Sequence, residues 1–328
     1  MGSFIEWLQP FVDAIISTIA SFWDPKKRIY YPYLVAAFIW CLLYYQFKRT
    51  NRPAQSFRAY LKYLFSKKIW LHPSALVDYQ LFFLNNLLKA ILITPYLMAH
   101  MAFAYLVVRW WEAGIGLQDN IQWSTTSINL SYTLVFLIFS DFSRFFLHYL
   151  LHKIPFLWEF HKVHHSAKVL TPITLYRMHP VEYFLFRLRS LIVFGLVTGS
   201  FFFWFRTGIE PLSILQIHLG IFVFNIMGAN LRHSHVPISF GKILEHIFIS
   251  PAQHQIHHSQ EERHYDKNFG SLLAFWDGLW GSLFISRPNE KLSFGISQKE
   301  DPQFRSLWQN LWMPFKNLWL WLRAHIYK

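Results

Sequence analysis

Long apolar runs alternate with short polar and basic stretches along most of this chain. A membrane-spanning helix needs roughly 20 mostly apolar residues. Five runs approach that length: Ile29–Tyr45, Leu81–Val108, Ile128–Leu147, Phe184–Phe205 and Ile214–Leu231. The pattern predicts an all-α, polytopic membrane protein with about four to five transmembrane helices. Within the second run, Lys89 and Pro95 favour a kinked or shortened helix.

Two further apolar segments lie towards the ends of the sequence. Phe11–Trp23 is too short to span a bilayer comfortably and is predicted to lie at the membrane interface. In the tail, Phe304–Leu322 repeats leucine and aromatic residues at helical spacing. Pro314 interrupts this repeat, which favours two short interfacial helices, and packing of the tail against the rest of the chain is the alternative.

The composition agrees with a membrane protein. The chain has 328 residues, of which 53% are hydrophobic, 20% aromatic and 15% charged, whereas about 25% charged residues is usual in soluble domains. Its single cysteine, Cys41, excludes an intrachain disulfide framework and any CxxC motif. No cleaved signal peptide is expected, because no basic segment followed by a short apolar run opens the sequence.

Basic residues dominate the charge and indicate an orientation. The formal net charge is +13, but no nucleic-acid recognition motif accompanies it, so nucleic acid is not expected as a partner. A basic stretch follows the first run: Lys48, Arg49, Arg52, Arg58, Lys62, Lys67 and Lys68. By the positive-inside rule this stretch is cytoplasmic. Two hairpins, turning at Trp110–Trp123 and Arg206–Ser213, then bring the later polar segments back to the cytoplasmic face.

Histidines are concentrated in four short motifs in these polar segments. The motifs are FFLHYLLH with His148 and His152, WEFHKVHH with His161, His164 and His165, NLRHSH with His233 and His235, and PAQHQIHH with His254, His257 and His258. On a helix, positions i, i+3 and i+4 lie on one side, so each HxxHH motif presents several imidazoles together. The ungrouped histidines are expected to have no shared role: His72, His100, His218, His246, His264 and His325.

Eight to ten imidazoles without thiolates predict a site for two metal ions. A structural zinc site needs four ligands and usually includes cysteine. Imidazole suits iron, copper, zinc and nickel, so the ligand type alone does not choose the metal. Two adjacent irons can reduce O2 and oxidise an unactivated C–H bond. A cytoplasmic-face site next to membrane helices suits a lipid substrate.

The order of the motifs resembles the membrane fatty acid hydroxylase / sterol desaturase superfamily. HxxxH, HxxHH, the HPxE of His179–Glu182 and the second HxxHH occur in sequence, followed by KNFG at 267–270 and FWDGLWGS at 275–282. Phe269 stands where the family has tyrosine, and Ser282 where it has threonine. The resemblance covers roughly residues 130–285.

The resemblance implies an iron-ligand set and residues that orient it. The implied ligands are His148, His152, His161, His164, His165, His233, His254, His257 and His258, with His179 as a tenth candidate. Whether His179, His235 or Asn230 supplies the last ligand is left open. Three nearby carboxylates, those of Glu159, Glu182 and Asp277, are candidates to accept hydrogen bonds from imidazole N–H groups.

The expected function is O2-dependent oxidation of a lipid by two iron ions. Three regions are predicted: an N-terminal region at 1-80, a catalytic domain at 81-290 and a Trp-rich tail at 291-328. The lipid is a sterol, a fatty acid or an ether lipid, and the product is hydroxylated or desaturated. No HPGG haem motif is present, so a separate cytochrome b5-like or ferredoxin-like donor with its reductase is expected. The alternatives are an integral-membrane acyl desaturase and a histidine-rich metal carrier.

Overall fold

The computed structural model describes residues 2–49, 56–119, 121–206, 208–214, 217–288 and 290–326. In these parts the α-helices are α1 Gly2–Ala20, α2 Tyr31–Arg49, α3 Phe57–Leu64, α4 Lys67–Trp70, α5 Pro73–Ile115, α6 Thr125–Lys153, α7 Pro155–His165, α8 Pro180–Phe205, α9 Leu219–Ile226, α10 Gly241–Leu244, α11 Pro251–His257, α12 Phe275–Trp280 and α13 Leu307–Ile326.

Short elements complete the fold. Four 3-10 helices are formed by Pro172–Tyr176, Ala229–His233, Glu262–His264 and Asp301–Phe304. The strands β1 Ser213–Ile214 and β2 Ile217–His218 pair antiparallel. The helical architecture predicted from the apolar runs is therefore confirmed, with this one small hairpin added. Arg52 of the basic stretch lies outside the described residues.

Three long helices, α5, α6 and α8, form the frame of the molecule. Near the C-terminus of α5, Trp111 Nε1 donates to Ser200 Oγ at 2.9 Å. Nearer the start of α5, Asn85 Nδ2 donates to Met178 O at 3.0 Å, just before α8 begins. These contacts make α5 and α8 parallel. A Cβ on Gly199 would lie 2.5 Å from Ala104 O, so the absence of a side chain permits this close packing.

Helix α6 runs antiparallel to α8, so the histidine-bearing ends of the two helices coincide. Tyr132 OH and Thr198 Oγ1 lie 2.9 Å apart, and Ile121 N donates to Trp204 O at 3.1 Å, both towards the opposite end. Both α6 and α8 are long and apolar enough to cross a bilayer. The length and composition of these two helices thus support membrane association.

The run Ile214–Leu231, predicted as a fifth span, is not a continuous helix, and that prediction is wrong. Its described residues form part of the hairpin, then the eight-residue α9, then a 3-10 turn. Gly228, with φ of 86°, ends the α-helical path because its left-handed conformation breaks the hydrogen-bond series. His218 Nε2 donates to Thr133 O at 2.9 Å, which holds the start of this segment beside α6.

Two other segments, α5 and the tail, differ from the prediction, whereas the interfacial position of Phe11–Trp23 stays a prediction. Helix α5 has 43 residues, about 65 Å along its axis, so the expected shortening near Pro95 is wrong. Phe11–Trp23 belongs mostly to the longer α1, which packs on α5 through Asn86 Nδ2 and Thr18 Oγ1 at 3.2 Å.

The tail forms one helix, α13, with Pro314 inside it, so the expected pair of helices is wrong. One face packs on α7, where the rings of Phe315 and Phe160 lie 5.2 Å apart and Asn317 Nδ2 donates to Glu159 Oε2 at 2.9 Å. Tertiary contacts of this kind hold the helix together across the proline, which removes one backbone donor. The other face exposes four tryptophans: Trp308, Trp312, Trp319 and Trp321.

Candidate metal centre

Nine imidazoles converge at the end of the α6–α8 frame and form two groups. Within each group, the potential ligand atoms lie within 4.8 Å of one another. The first group contains His148, His152, His161, His165 and His257, and the second contains His164, His233, His254 and His258. These are the nine histidines implied by the family resemblance, and the structure brings all of them together. Their role as ligands stays a prediction.

The two HxxHH motifs each divide their histidines between the two groups. On α7, His161 and His165 are four residues apart and enter the first group, while His164 enters the second. At α11 the assignment is reversed, with His257 in the first group and His254 and His258 in the second. One helical turn can face two neighbouring ions in this way because successive side chains point 100° apart. The repeated motif therefore predicts a paired centre.

Local sequence fixes where these helices begin. Pro155 stands in the first turn of α7, immediately after α6 ends, and reverses the chain so that His161 returns to His148. Pro251 likewise stands in the first turn of α11, and Ser250 and Gln253 form a capping box at the same helix end. His148 and His152 are one turn apart at the end of α6 and share a face.

Hydrogen bonds at Nδ1 orient four of the rings. His148 Nδ1 donates to Phe269 O at 2.8 Å, His257 Nδ1 to Lys267 O at 2.8 Å, and His164 Nδ1 to Arg177 O at 3.1 Å. Because a carbonyl oxygen only accepts, the proton lies on Nδ1 and Nε2 keeps its lone pair. His161 Nδ1 lies 2.9 Å from Glu182 Oε1, an arrangement that also leaves Nε2 free for a metal.

The Nε2 atoms face one another within each group, and in His148 and His164 the proton on Nδ1 leaves Nε2 unprotonated. His148 Nε2 lies 3.1 Å from His161 Nε2. His233 Nε2 lies between 3.1 and 3.2 Å from the Nε2 atoms of His164, His254 and His258. Nε2 is buried and without a partner in His152, His165 and His257. Lone pairs held this close repel each other, and a cation bonded to them removes the repulsion. The donor set therefore fits first-row transition metals, iron among them.

Burial keeps the imidazoles neutral. Desolvation is the main cause that lowers the pKa of His164 to about 3 and that of His257 to about 3. The pKa values of His165 and His258 fall well below the usual value for the same reason, followed by repulsion from neighbouring histidines. Neutral imidazole is the form that binds metal, so no proton has to leave before an ion enters.

A buried loop supplies two of the orienting carbonyls, and it is built by the KNFG and FWDGLWGS motifs. Asp277 accepts hydrogen bonds from Phe269 N and Gly270 N, both at 2.8 Å, and from Ser282 Oγ at 2.6 Å. A Cβ on Gly270 would lie 2.6 Å from Leu273 O, so glycine is required here. Serine in place of the family's threonine keeps the hydroxyl that bonds Asp277.

The other candidate ligands do not join either group. His179 accepts from Val181 N at 3.1 Å through Nδ1 and donates to Leu311 O at 3.1 Å through Nε2, so both its nitrogens are engaged. His235 Nε2 donates to Tyr63 O at 3.0 Å on the side facing the basic stretch. Asn230 is buried, and its Nδ2 has no partner.

Of the three candidate orienting carboxylates, only Glu182 bonds an imidazole. Glu159 instead accepts from Lys162 Nζ at 2.6 Å and from Asn317. Asp277 acts on the site indirectly, since it holds the loop whose carbonyl orients His148.

Sequence reasoning missed Arg177, which adjoins the second group through its carbonyl. Its guanidinium donates to Asp78 Oδ1 at 2.8 Å, Ser74 O at 3.0 Å and Val163 O at 2.8 Å, while its own carbonyl orients His164. The arginine is 1% exposed and Asp78 is 0% exposed, so this ion pair is fully buried. The one available signal was Asp78, the first acidic residue after a long basic stretch.

Changing Glu182 to Gln should reduce turnover by about 10–100-fold, the usual cost of losing a group that orients a metal ligand. The amide keeps the shape of the side chain but replaces one carboxyl oxygen by an NH2 group, which cannot accept a hydrogen bond from His161 Nδ1. The measurement is product formed per bound metal ion. Glu159→Gln is the matched control, because Glu159 bonds Lys162 and no imidazole, and it should stay within a few-fold of the unchanged protein. Equal losses in both variants would contradict the orienting role.

The comparisons with known proteins agree with this geometry. Residues 133–282 match the family model for fatty acid hydroxylase. The alkylglycerol monooxygenase of Homo sapiens is 25% identical over 181 residues, which cover 52% of this chain and 36% of that protein. An ornithine lipid hydroxylase of Rhizobium tropici is 28% identical over 169 residues, covering 50% of this chain and 45% of the relative.

A Delta(7)-sterol 5(6)-desaturase of Aspergillus fumigatus is 30% identical over 163 residues, covering 48% of this chain and 40% of that protein. The chain thus spans less than half the length of each of these relatives. No solved structure matches the chain significantly. The segment matched by the family contains every member of both histidine groups. Residues 133–282 therefore match the fatty acid hydroxylase family, and this match confirms the resemblance predicted from the histidine motifs.

Proposed function

We propose that this protein is a di-iron oxygenase that hydroxylates or desaturates a membrane lipid. The observation that carries the proposal is the division of nine buried imidazoles into two adjacent groups of five and four. In a hydroxylation, a C–H bond and O2 together with two electrons and two protons yield an alcohol and water. Iron bound at both groups would supply the activation of O2 and the oxidation of the C–H bond.

The chain's own residues prepare the site for this chemistry. His148, His152, His161, His165 and His257 would hold one ion, and His164, His233, His254 and His258 the other. Neutral ligands leave the charge of the metal uncompensated, which favours a strongly oxidising centre. Burial of the imidazoles excludes bulk water, which would otherwise compete with substrate for the oxidant.

The relatives support a lipid substrate. According to their names, one relative acts on alkylglycerols, one on an ornithine lipid and one on a sterol. The acyl desaturase alternative shares the histidine chemistry but differs in the motifs around it. A metal carrier is disfavoured, because both histidine groups lie at one end of the α6–α8 frame and do not line a path along it.

Electrons would come from a separate protein with an acidic surface, such as a cytochrome b5-like or ferredoxin-like carrier with its reductase. Arg58, Lys62, Lys67 and Lys68 are exposed on or beside α3 and α4. Tyr63 OH donates to His235 O at 2.5 Å, so these helices lie next to the segment that supplies His233. A basic surface beside the metal-bearing end suits an acidic donor.

Purified protein should contain close to two metal ions per chain, and iron when active. Two separate donor groups, each with at least four imidazoles, can fill two coordination spheres. Elemental analysis of the purified protein, with lipid oxidation measured on the same sample, tests this count. Full activity at one ion per chain would reject the dinuclear site.

The basic stretch lies beside the histidine end of the frame and is expected in the cytoplasm by the positive-inside rule. The histidine end should therefore face the cytoplasm as well. Cysteines introduced at Glu262, near the site, and at Gln122, at the opposite end, are both at exposed positions. In a Cys41→Ser background, an impermeant thiol reagent should label the first from the cytoplasmic side and the second from the other side. Labelling of both positions from one side would contradict a spanning frame.

A further inference from the structure

Six basic side chains meet at the end of the frame nearest the histidines. They come from the α1–α2 loop, from α5, α6 and α8, and from the turn before His233: Lys27, Arg28, Lys89, Arg144, Arg187 and Arg232. Their charges act on one another, since Lys27 is repelled by Lys89 and Arg187, and Arg28 by Arg144. Arg232 is in turn repelled by Arg28 and Arg144. We call these six residues the basic cluster.

Aromatic rings and a hydroxyl hold the guanidinium groups of the basic cluster. Those of Arg232 and Arg28 lie 4.8 and 5.9 Å from the centre of the same ring, that of Phe224. Arg144 lies 5.8 Å from the centre of the Phe186 ring. Arg187 donates to Tyr183 OH at 2.7 Å. Among the described residues, no salt bridge within 4.0 Å joins Lys27, Arg28, Arg144 or Arg232 to a carboxylate.

Two carboxylates act on the basic cluster, and both already have other donors. Asp141 accepts from Leu272 N at 2.9 Å and, through Oδ2, from Leu273 N and Trp276 Nε1, each at 3.0 Å. Asp24 accepts from Lys26 N at 2.9 Å. With Arg187 set aside, the other five cations against these two carboxylates leave an excess of three positive charges among the described residues.

The energetic cost of this excess shows in the pKa values of the loop residues. Burial first, and then neighbouring cations, lower the pKa of Lys27 to about 8 and that of Arg28 to about 10. Arg232 is buried and the other five residues are half-buried, and charges withdrawn from water in this way are normally paired within the protein or by something bound to it. The basic cluster therefore has the properties of a binding site for an anion from outside the chain.

The basic cluster lies close to the histidines, on their bilayer side. Arg144 precedes His148 by four residues on α6, about 6 Å along the helix axis. Arg187 follows Glu182 by five residues on α8, about 7.5 Å. Arg232 is the immediate neighbour of His233. These three cations therefore lie next to the histidines, where they can contact the head group of a lipid bound at the metal centre.

We propose that the basic cluster binds a phosphate or carboxylate in the head group of the lipid substrate, so that oxidation occurs a few bonds from that head group. This inference rests on the proposed oxygenase function and narrows its substrate class. A neutral sterol or neutral ether lipid would leave the excess charge uncompensated beside the site. Oxidation at the far end of an acyl chain would require the head group to lie a chain length away from the cations.

Binding to the full-length, iron-loaded protein in a neutral detergent tests the proposal without relying on turnover. The probes are phosphatidylglycerol and oleate, which carry a phosphate and a carboxylate, and zwitterionic phosphatidylcholine. Phosphatidylglycerol, oleate or both should bind at least about 10-fold tighter than phosphatidylcholine. Equal binding of all three lipids by the unchanged protein would overturn the proposal.

Substitutions then locate the binding. Lys27→Gln combined with Arg28→Gln should weaken binding of the preferred anion by about 10–30-fold, since each basic group near a lipid surface contributes about a fivefold preference. Lys27→Arg combined with Arg28→Lys keeps both charges and should bind normally. Lys67→Gln with Lys68→Gln removes two exposed charges elsewhere and serves as the surface control. Unchanged binding in the first variant, with its iron content intact, would overturn the assignment to the basic cluster.

Lipid analysis of cells with and without the gene distinguishes a lipid that the protein oxidises from a lipid that it only binds. An O2-dependent product within an anionic lipid class supports the proposal. A product confined to neutral lipids overturns it and leaves the oxygenase proposal standing. Absence of any oxidised product would count against the oxygenase itself, and the binding comparison would still decide whether the basic cluster recognises an anion.

Discussion

Replacing His164 by alanine is expected to lower the metal content from two ions per chain to one and to reduce lipid oxidation by more than about 100-fold. His164 belongs to the second group, which has four imidazoles and no spare donor. Its removal leaves three nitrogens around one ion and frees the Arg177 carbonyl that orients the ring. Elemental analysis and product formation on the same preparation measure both effects.

His246→Ala is the matched control for that substitution. His246 is exposed and bonds only Lys242 O, one turn away on the same segment, at 2.6 Å. Its loss should leave two ions per chain and activity within a few-fold of the unchanged protein. If His164→Ala also retained two ions and full oxidation of the native lipid, the histidine pattern would have no catalytic meaning.

The second large effect concerns stability. Changing Arg177 to Ala should cost about 3–5 kcal/mol of unfolding free energy, because Asp78 is then left as an unpaired buried charge. The substitution also removes the hydrogen bonds that the guanidinium donates to Val163 O, Ser74 O and Ser166 Oγ. These bonds connect α7 to the start of α5. Thermal unfolding of the purified protein in detergent micelles measures the loss.

Arg263→Ala provides the comparison for an exposed arginine. Arg263 also pairs with carboxylates, Glu261 and Glu290 at 2.7 Å each, but its side chain is 47% exposed. Solvent screening limits such a pair to less than about 1 kcal/mol. Combining Arg177→Ala with Asp78→Asn should be milder than the arginine change alone, because the uncompensated charge is gone. Equal destabilisation by the two arginine substitutions would refute a special role for the buried pair.

The histidine centre was predictable from sequence because its signal is local. Spacings of three and four residues on α7 and α11 bring donors to one side of a helix, whatever the rest of the chain does. The same logic found α6 and α8, whose apolar runs are long and uninterrupted. Glu182 could be identified because it lies within the motif that begins at His179.

The features that the sequence did not reveal depend on distant contacts. Pro314 argued for two helices in the tail, yet packing of Phe315 on Phe160 stabilises a single α13. Ile214–Leu231 has enough apolar residues for a span, and the backbone at Gly228 decides against it. His179 sits in a family motif, but its Nε2 bonds Leu311 O, a partner 132 residues away. Hydropathy and short motifs contain no information about such partners.

The position of Asn310 has a consequence for the order in which the protein matures. Asn310 Nδ2 donates to Phe304 O at 2.8 Å, and Phe304 O also accepts from Arg177 at 3.3 Å, so the last helix completes the support beneath the second histidine group. A ribosome releases this segment after all nine imidazoles of the two groups have been synthesised. In the di-iron oxygenase proposed above, iron loading would therefore follow translation, and a truncated product lacking α13 should be made without a finished centre.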